Sequence, residues 1–184
     1  PRSNDLIKSF THFRQYAYSG MCDIKKAFYN LKVDEKAIAL RKVWLPIDKH
    51  GKIAFGKNID EVHWEMFTFT SSSMGDIGAP ALLFLTICKA AELFCPGNDR
   101  MSQWTRLVLI TSAYFDDIQA VGSTRDERDQ MMNKINIVLK KAGMETHPWT
   151  ICNPTGKEMP PIPPTSDEIA NFPKILGYVW SAEY

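Results

Sequence analysis

The sequence predicts an α+β domain, an antiparallel sheet with helices packed on one face. Three observations lead there. Short β-prone runs, among them Val62 to Phe69 and Ile118 to Val121, are bounded by turn residues. Two longer segments, from Gly78 to Phe94 and from Thr124 to Gly143, carry helical punctuation and apolar positions at helical spacing. The resulting order is helix, strand, small helix, hairpin, strand, buried helix, hairpin, helix, strand. At 184 residues, one domain spanning 1–184 is the expectation.

Taken from the start, Ser3 or Asn4 is placed to cap a helix running to about Gln15, with Leu6, Ile7, Phe10 and Phe13 on one face. Tyr18-Ser19-Gly20 ends it, and Met21 to Ile24 reads as a short buried strand. Lys26 to Leu31 suits a helical turn carrying Phe28 and Tyr29, and Asp34 caps another short helix through Leu40. Lys42 to Ile47 and Lys52 to Phe55 read as a hairpin whose turn uses Gly51 for its positive φ.

After the Val62–Phe69 strand, Ser71 to Asp76 forms a loop. Pro80 then sits in the first turn of a buried helix reaching Phe94. Leu107 to Ile110 and Ile118 to Val121 read as the two arms of a hairpin with Asp116 and Asp117 at its turn. Thr124 to Glu127 is a capping box for a helix with Met131, Ile135, Val138 and Leu139 on one stripe and Gly143 at its end. Trp149 to Ile162 is a proline-rich connection, and Lys174 to Trp180 a closing strand.

Composition narrows the function. The chain is 45% hydrophobic, enough for a real core, and its net charge of +1 excludes a strongly basic nucleic-acid binder. Lys25, Lys26, Lys32, Lys36, Arg41 and Lys42 cluster locally, which a solvated face also explains. Cys22, Cys88, Cys95 and Cys152 form no CxxC and do not pair with the histidines at zinc-ligand spacing, so reduced thiols in an intracellular compartment, cytoplasmic or nuclear, are expected. No apolar run is long enough to span a bilayer, and no membrane partner is expected. A chain that opens on Pro1 reads as a piece of something longer.

The chemistry concentrates on Asp116 and Asp117. Adjacent ionised carboxylates repel, and a hard divalent cation is the usual relief. A solvated Asp-Asp turn is the plain alternative. Asp23, at the end of a predicted strand, becomes a third carboxylate if that strand neighbours the hairpin. Three such groups are enough to hold two magnesium ions for nucleotidyl transfer.

Asp23-Ile24-Lys25-Lys26-Ala27-Phe28 resembles motif A of reverse transcriptases, an aspartate followed at a fixed distance by an aromatic. Met74-Gly75-Asp76-Ile77-Gly78-Ala79-Pro80 resembles motif B, Tyr114-Phe115-Asp116-Asp117 the Tyr-x-Asp-Asp box of motif C, and Lys174 to Tyr178 the Leu-Gly strand of motif E. Four motifs in order, covering about Asn4 to Ser181, carry more than any one alone. Phe67-Thr68-Phe69 and the closing Leu-Gly-Tyr-Val-Trp are most similar to the polymerases of BEL/Pao-type LTR retrotransposons.

The resemblance implies a right-hand polymerase palm with part of the fingers. Residues from about 32 to 70 would be partly fingers-like, and 150–184 would be the palm-to-thumb connection. It implies RNA-directed DNA polymerisation with two Mg2+ or Mn2+ ions held by Asp23, Asp116 and Asp117. Phe28 would be the steric gate against a 2′-hydroxyl, and Tyr114 would touch the primer end. Gly75 and Pro80 would shape the loop over the nascent base pair, and Lys25 and Lys26 would meet phosphates. The motif D lysine stays open among Lys140, Lys141 and Lys157. Implied partners are an RNA or DNA template with primer, a dNTP, and further polyprotein domains (fingers, thumb, RNase H).

Several features depart from that pattern. The residues given hold neither the fingers strands expected before motif A nor a segment long enough for a thumb. Met74, Asp76 and Gly78 are unusual in the motif B loop, and an acidic Asp76 near a triphosphate is unfavourable unless it points away. A rival reading is therefore a domesticated, non-catalytic palm that binds nucleic acid or protein. A ribonucleotide polymerase is disfavoured by the bulk of Phe28.

Overall fold

The computed structural model describes residues 5–56, 61–73 and 75–152, with the backbone of 174–175 and 178–179. It is a mixed α+β arrangement with a small antiparallel sheet and packed helices. The chain divides into two compact units, one of residues 1–27 with 80–184 and the other of residues 28–79.

The first unit is built on β1 (Tyr18–Asp23). It pairs antiparallel with β4 (Asp117–Gly122) on one side and β5 (Thr150–Cys152) on the other. Four consecutive residues of β1 and five of β4 are buried, so both faces of these strands are covered. Helix α1 (Leu6–Arg14) reaches one face, where the Gln119 side-chain amide donates to the Ser9 carbonyl at 3.3 Å. Helix α5 (Arg125–Lys141) lies against the other. A Cβ on Gly20 would stand 3.3 Å from Met132 Sδ, so the close approach uses a residue without one. Helices thus cover both faces rather than the one expected, because alternate residues of the same strands are equally apolar.

The helices follow their caps. Asp5, not Ser3 or Asn4, caps α1 by accepting from the Ile7 amide at 2.8 Å. Thr124 caps α5, its hydroxyl accepting from the Glu127 amide at 3.2 Å, while Glu127 reaches back to the Ser123 amide. Helix α3 (Ala79–Phe94) carries Pro80 in its first turn and buries Leu83, Ile87 and Ala91, but Leu82, Leu85 and Leu93 are exposed, so the helix expected to be buried has only one side of its apolar surface covered. Among the described residues no helix is long and apolar enough to cross a membrane. Cys22, Cys88 and Cys95 are free thiols.

One expected strand is a helix. Leu107 to Ile110 belongs to α4 (Arg100–Thr111), capped by Asp99, which accepts from the Ser102 amide at 2.9 Å. Its buried positions are Ser102, Thr105, Val108 and Leu109, a helical spacing. Two of the four are polar, so the periodicity is hidden from a count of apolar residues, and a short β-prone run stands out in its place.

In the second unit, Phe28 lies in a 3-10 turn (Ala27–Asn30), and Asp34 caps the short α2 (Glu35–Ile38). Strand β2 (Lys42–Asp48) pairs along its whole length with β3 (Val62–Thr68), from Lys42↔Thr68 to Asp48↔Val62. The expected partner, Lys52 to Phe55, makes a single bridge from Ile53 to Ile47, with the Ala54 amide donating to the Pro46 carbonyl and the Asp48 amide to the Lys52 carbonyl, both at 2.9 Å. The Gly51 turn forms as expected, at φ +74°, but Gly56 at φ +80° ends the extension, whereas β3 offers seven residues to the ladder.

The closing strand expected from Lys174 to Trp180 is two short strands instead, β6 (Lys174–Ile175) and β7 (Tyr178–Val179), paired antiparallel. The remainder of that segment, and Lys157, lie outside the described residues.

Candidate metal and nucleotidyl-transfer site

The candidate site stands at one end of the β1–β4 ladder. Asp23 is the last residue of β1 and faces Asp117, the first of β4, in antiparallel register. Side chains at facing positions leave the same side of a sheet. Tyr114 and Asp117 exchange two backbone hydrogen bonds, both 3.0 Å, closing a two-residue turn of Phe115 and Asp116. The Asp116 carbonyl accepts from the Ile24 amide at 3.0 Å, tying the turn to the end of β1. The three predicted carboxylates therefore come from one strand end and one turn, locked together by backbone bonds.

Their mutual influence is visible in their acidity. Asp23 is pushed up to about 6, first by burial, then by the negative charge of Asp116 and a hydrogen bond with it; His147 and the Ile24 amide pull the other way. Asp117 is pushed up to about 7 by burial, by Asp116 and by Asp23. The neighbouring Cys22 thiol is also raised, by burial and by Asp23 and Asp117, so it stays protonated and unreactive.

The backbone around this cluster is strained. Lys26 and Phe115 have φ of +51° and +53°, the two positive-φ non-glycine residues among those described, and they stand on the two segments that carry the carboxylates. Such conformations cost on the order of 1–3 kcal/mol each and persist where surrounding bonds impose them. At Phe115 the constraint is the Tyr114–Asp117 turn, and its ring packs edge-on against Tyr114, centroids 4.5 Å apart.

The segment after α5 runs along the same end of β1. The Lys25 amide donates to the Glu145 carbonyl at 2.8 Å, and the His147 amide to the Asp23 carbonyl at 2.8 Å. Lys25 Nζ stands 3.6 Å from Glu145 Oε2, and His147 Nε2 stands 3.9 Å from Asp23 Oδ2. Neither Glu145 nor His147 is a sequence-level candidate. Their placement depends on a strand pairing, Ile24 with Thr146, that no local pattern announces. Lys140 and Lys141 lie in the last turn of α5.

The other predicted residues divide. Tyr114 and Lys25 are in the carboxylate cluster, half-buried, and Lys26 is next to it and exposed. Pro80 is half-buried in the first turn of α3. Phe28 and Gly75 belong to the second unit, Phe28 half-buried and Gly75 exposed at φ +100°. Asp76, the apparent misfit of the motif B loop, is neutralised by an ion pair with Arg41 and accepts from the Ser73 amide at 2.9 Å and the Ser72 hydroxyl at 3.1 Å. Arg41 lies 35 residues upstream, too far for spacing to reveal the pair.

The donor set is all carboxylate oxygen, which suits Mg2+ or Mn2+. Among the described residues, however, no three Asp, Glu, His or Cys side chains already surround a common point. Asp23, pushed up to about 6 first by burial and then by the charge of Asp116, holds its proton well above the usual carboxylate range. A cation and that proton compete for the same oxygens. The chemistry fits; the carboxylate side chains must rearrange around a common point to use it.

No protein-family model matches the chain, and no curated protein matches it.

Proposed function

We propose that the chain is the catalytic palm of an RNA-directed DNA polymerase, transferring a nucleotidyl group from a dNTP to a primer 3′-hydroxyl. One observation carries the reading: Asp23 faces Asp117 in register while Asp116 occupies the turn beside them. Three like charges gathered at a strand end are costly without a cation, and no part of a passive scaffold needs them. The four motif resemblances then decide which cation chemistry is meant.

Asp23, Asp116 and Asp117 would hold two Mg2+ or Mn2+ ions. When bound, such ions stabilise the attacking oxygen and the departing pyrophosphate. The primer 3′-hydroxyl gives its proton to solvent as O3′ bonds to the α-phosphorus, and the bond from that phosphorus to the α,β-bridging oxygen breaks to release pyrophosphate. This chain's part is largely positioning. Tyr114, packed on Phe115 at the turn, contacts the primer end; Phe28 packs against the sugar and rejects a 2′-hydroxyl; Lys25 and Lys26 meet phosphate oxygens.

The test is extension of a DNA primer on an RNA template by the purified chain with manganese. Wild type incorporates dNTPs, and Asp116→Asn loses at least about a hundredfold. Nucleic-acid or protein binding without incorporation, unchanged by Asp116→Asn, would transfer the assignment to a non-catalytic palm.

A further inference from the structure

We propose that Arg41 is a positioning residue for nucleotide use, acting through Asp76 on the loop that leads into α3. The inference rests on the polymerase reading, because that reading assigns this loop to the incoming nucleotide.

The observations are geometric and lie within one compact unit. The Arg41 guanidinium pairs with the Asp76 carboxylate, and its Nη1 donates to the Ser71 carbonyl at 2.7 Å. The Arg41 side chain is only 20% exposed and Asp76 31%, so the pair is shielded more than a surface salt bridge. Asp76 accepts at the same time from the Ser72 hydroxyl and the Ser73 amide. The Asp76 carbonyl accepts from the Ala79 amide at 3.0 Å, at the first residue of α3. One guanidinium therefore ties the start of the loop, at Ser71, to its far side, at Asp76.

Gly75 sits between those anchors. Its φ of +100° is a conformation that side-chain-bearing residues rarely adopt, yet a Cβ there would meet nothing within 4 Å. The glycine answers a backbone requirement and leaves open space outside it. A bare peptide held at fixed geometry beside open space is suited to approach by a ligand, and its precision depends on what holds it. The Asp76 amide closes the turn by donating to the Ser73 carbonyl at 3.2 Å, and Arg41–Asp76 ties that turn to the rest of the unit. The same pair explains how an acidic residue is tolerated beside a triphosphate: its charge is already spent on Arg41.

The test compares wild type with Arg41→Gln, Asp76→Asn, and the reversal Arg41→Asp with Asp76→Arg. It measures manganese-dependent single-nucleotide incorporation, unfolding midpoint, and amide exchange at Ser73 and Asp76. Each single variant raises KM for dNTP about tenfold or more, since it strands a shielded charge or donor, with kcat within a few-fold. Exchange at Ser73 and Asp76 accelerates, and the reversal recovers most of both losses. Wild-type incorporation with KM unchanged in Arg41→Gln overturns the proposal and leaves the polymerase reading intact. So does a loss of kcat that follows the unfolding midpoint and is not recovered by the reversal. Absence of incorporation by wild type overturns the polymerase reading; faster exchange in Arg41→Gln then leaves the pair a structural clamp only, and the positioning role falls too.

Discussion

Asp23 and Asp117 face each other across the β1–β4 ladder, and each is a weaker acid than an ordinary aspartate. The relationship follows from register. With Tyr18 opposite Gly122 at the far end of the ladder, the two strands carry their acids to the same terminus. A slip of one residue would send Asp117 to the other side of the sheet. The buried runs of both strands forbid that slip, so the hydrophobic core sets the geometry of the charged site.

A pH dependence follows. The folded values, about 6 for Asp23 and about 7 for Asp117, lie above the ~3.9 of an unfolded aspartate. The native state therefore holds these protons more tightly, so the stability they confer is full below about pH 4 and is lost as pH rises through 6 and 7. In metal-free buffer the unfolding free energy should fall between pH 5 and pH 8 by on the order of 1–2 kcal/mol, discounted for solvent screening of these half-exposed groups. Asp116→Asn removes the charge acting on both and should flatten the slope. A midpoint that rises steadily over this range would contradict the arrangement.

Much of this was legible in the residues, and what was not has a physical reason. The cap at Thr124, the stripe Met131-Ile135-Val138-Leu139 and the turn at Gly51 are local signals, and each appears where read. The end of β1 near Asp23 was legible from Met21 and Cys22, but its first half was not, since Tyr18 to Gly20 read as a helix break and are strand. Strand partners were not: Ile53 and Phe67 are equally good candidates to lie beside β2 until the whole ladder is compared. Polar Ser102 and Thr105 on the inward side of α4 disguised a helix. His147, Glu145 and Arg41 reach their partners only through long-range pairing, which periodicity does not encode.

Gly122 tests the packing behind the site. A Cβ there would stand 2.6 Å from the Arg128 amide nitrogen and 2.7 Å from the Thr124 carbonyl oxygen, both backbone atoms at the start of α5. Neither can swing aside as a side chain would. Gly122→Ala should cost about 1–3 kcal/mol, read as a lower unfolding midpoint. Unchanged stability would mean that α5 enters at a different angle.

Phe28 tests the sugar-discrimination part of the proposed function. Its ring is half-buried in the 3-10 turn after β1, and the Phe28 carbonyl accepts from the Leu31 amide at 3.1 Å, so the backbone should survive truncation. Phe28→Ala should admit ribonucleotides, lowering the preference for dNTP over rNTP by about tenfold or more, the effect of losing one well-placed steric contact. Equal discrimination in wild type and variant would remove Phe28 from the site.

Cations and the protons held by Asp23 and Asp117 compete for the same oxygens, which makes the metal response depend on pH. Millimolar Mn2+ should raise the unfolding midpoint of wild type; a concentration a hundred times the dissociation constant corresponds to about 2.7 kcal/mol. The gain should be larger at pH 8 than at pH 5, because at pH 5 Asp23 and Asp117, at about 6 and about 7, are mostly protonated. Asp23→Asn and Asp116→Asn each remove a donor and should abolish most of the shift at both pH values. His147→Ala leaves all three carboxylates and should keep it, since the imidazole stands 3.9 Å from Asp23 and supplies only a modest opposing charge. A wild type indifferent to Mn2+ at pH 8, where Asp23 and Asp117 are mostly ionised, would show that the carboxylates do not form a cation site, and the non-catalytic reading would then take precedence.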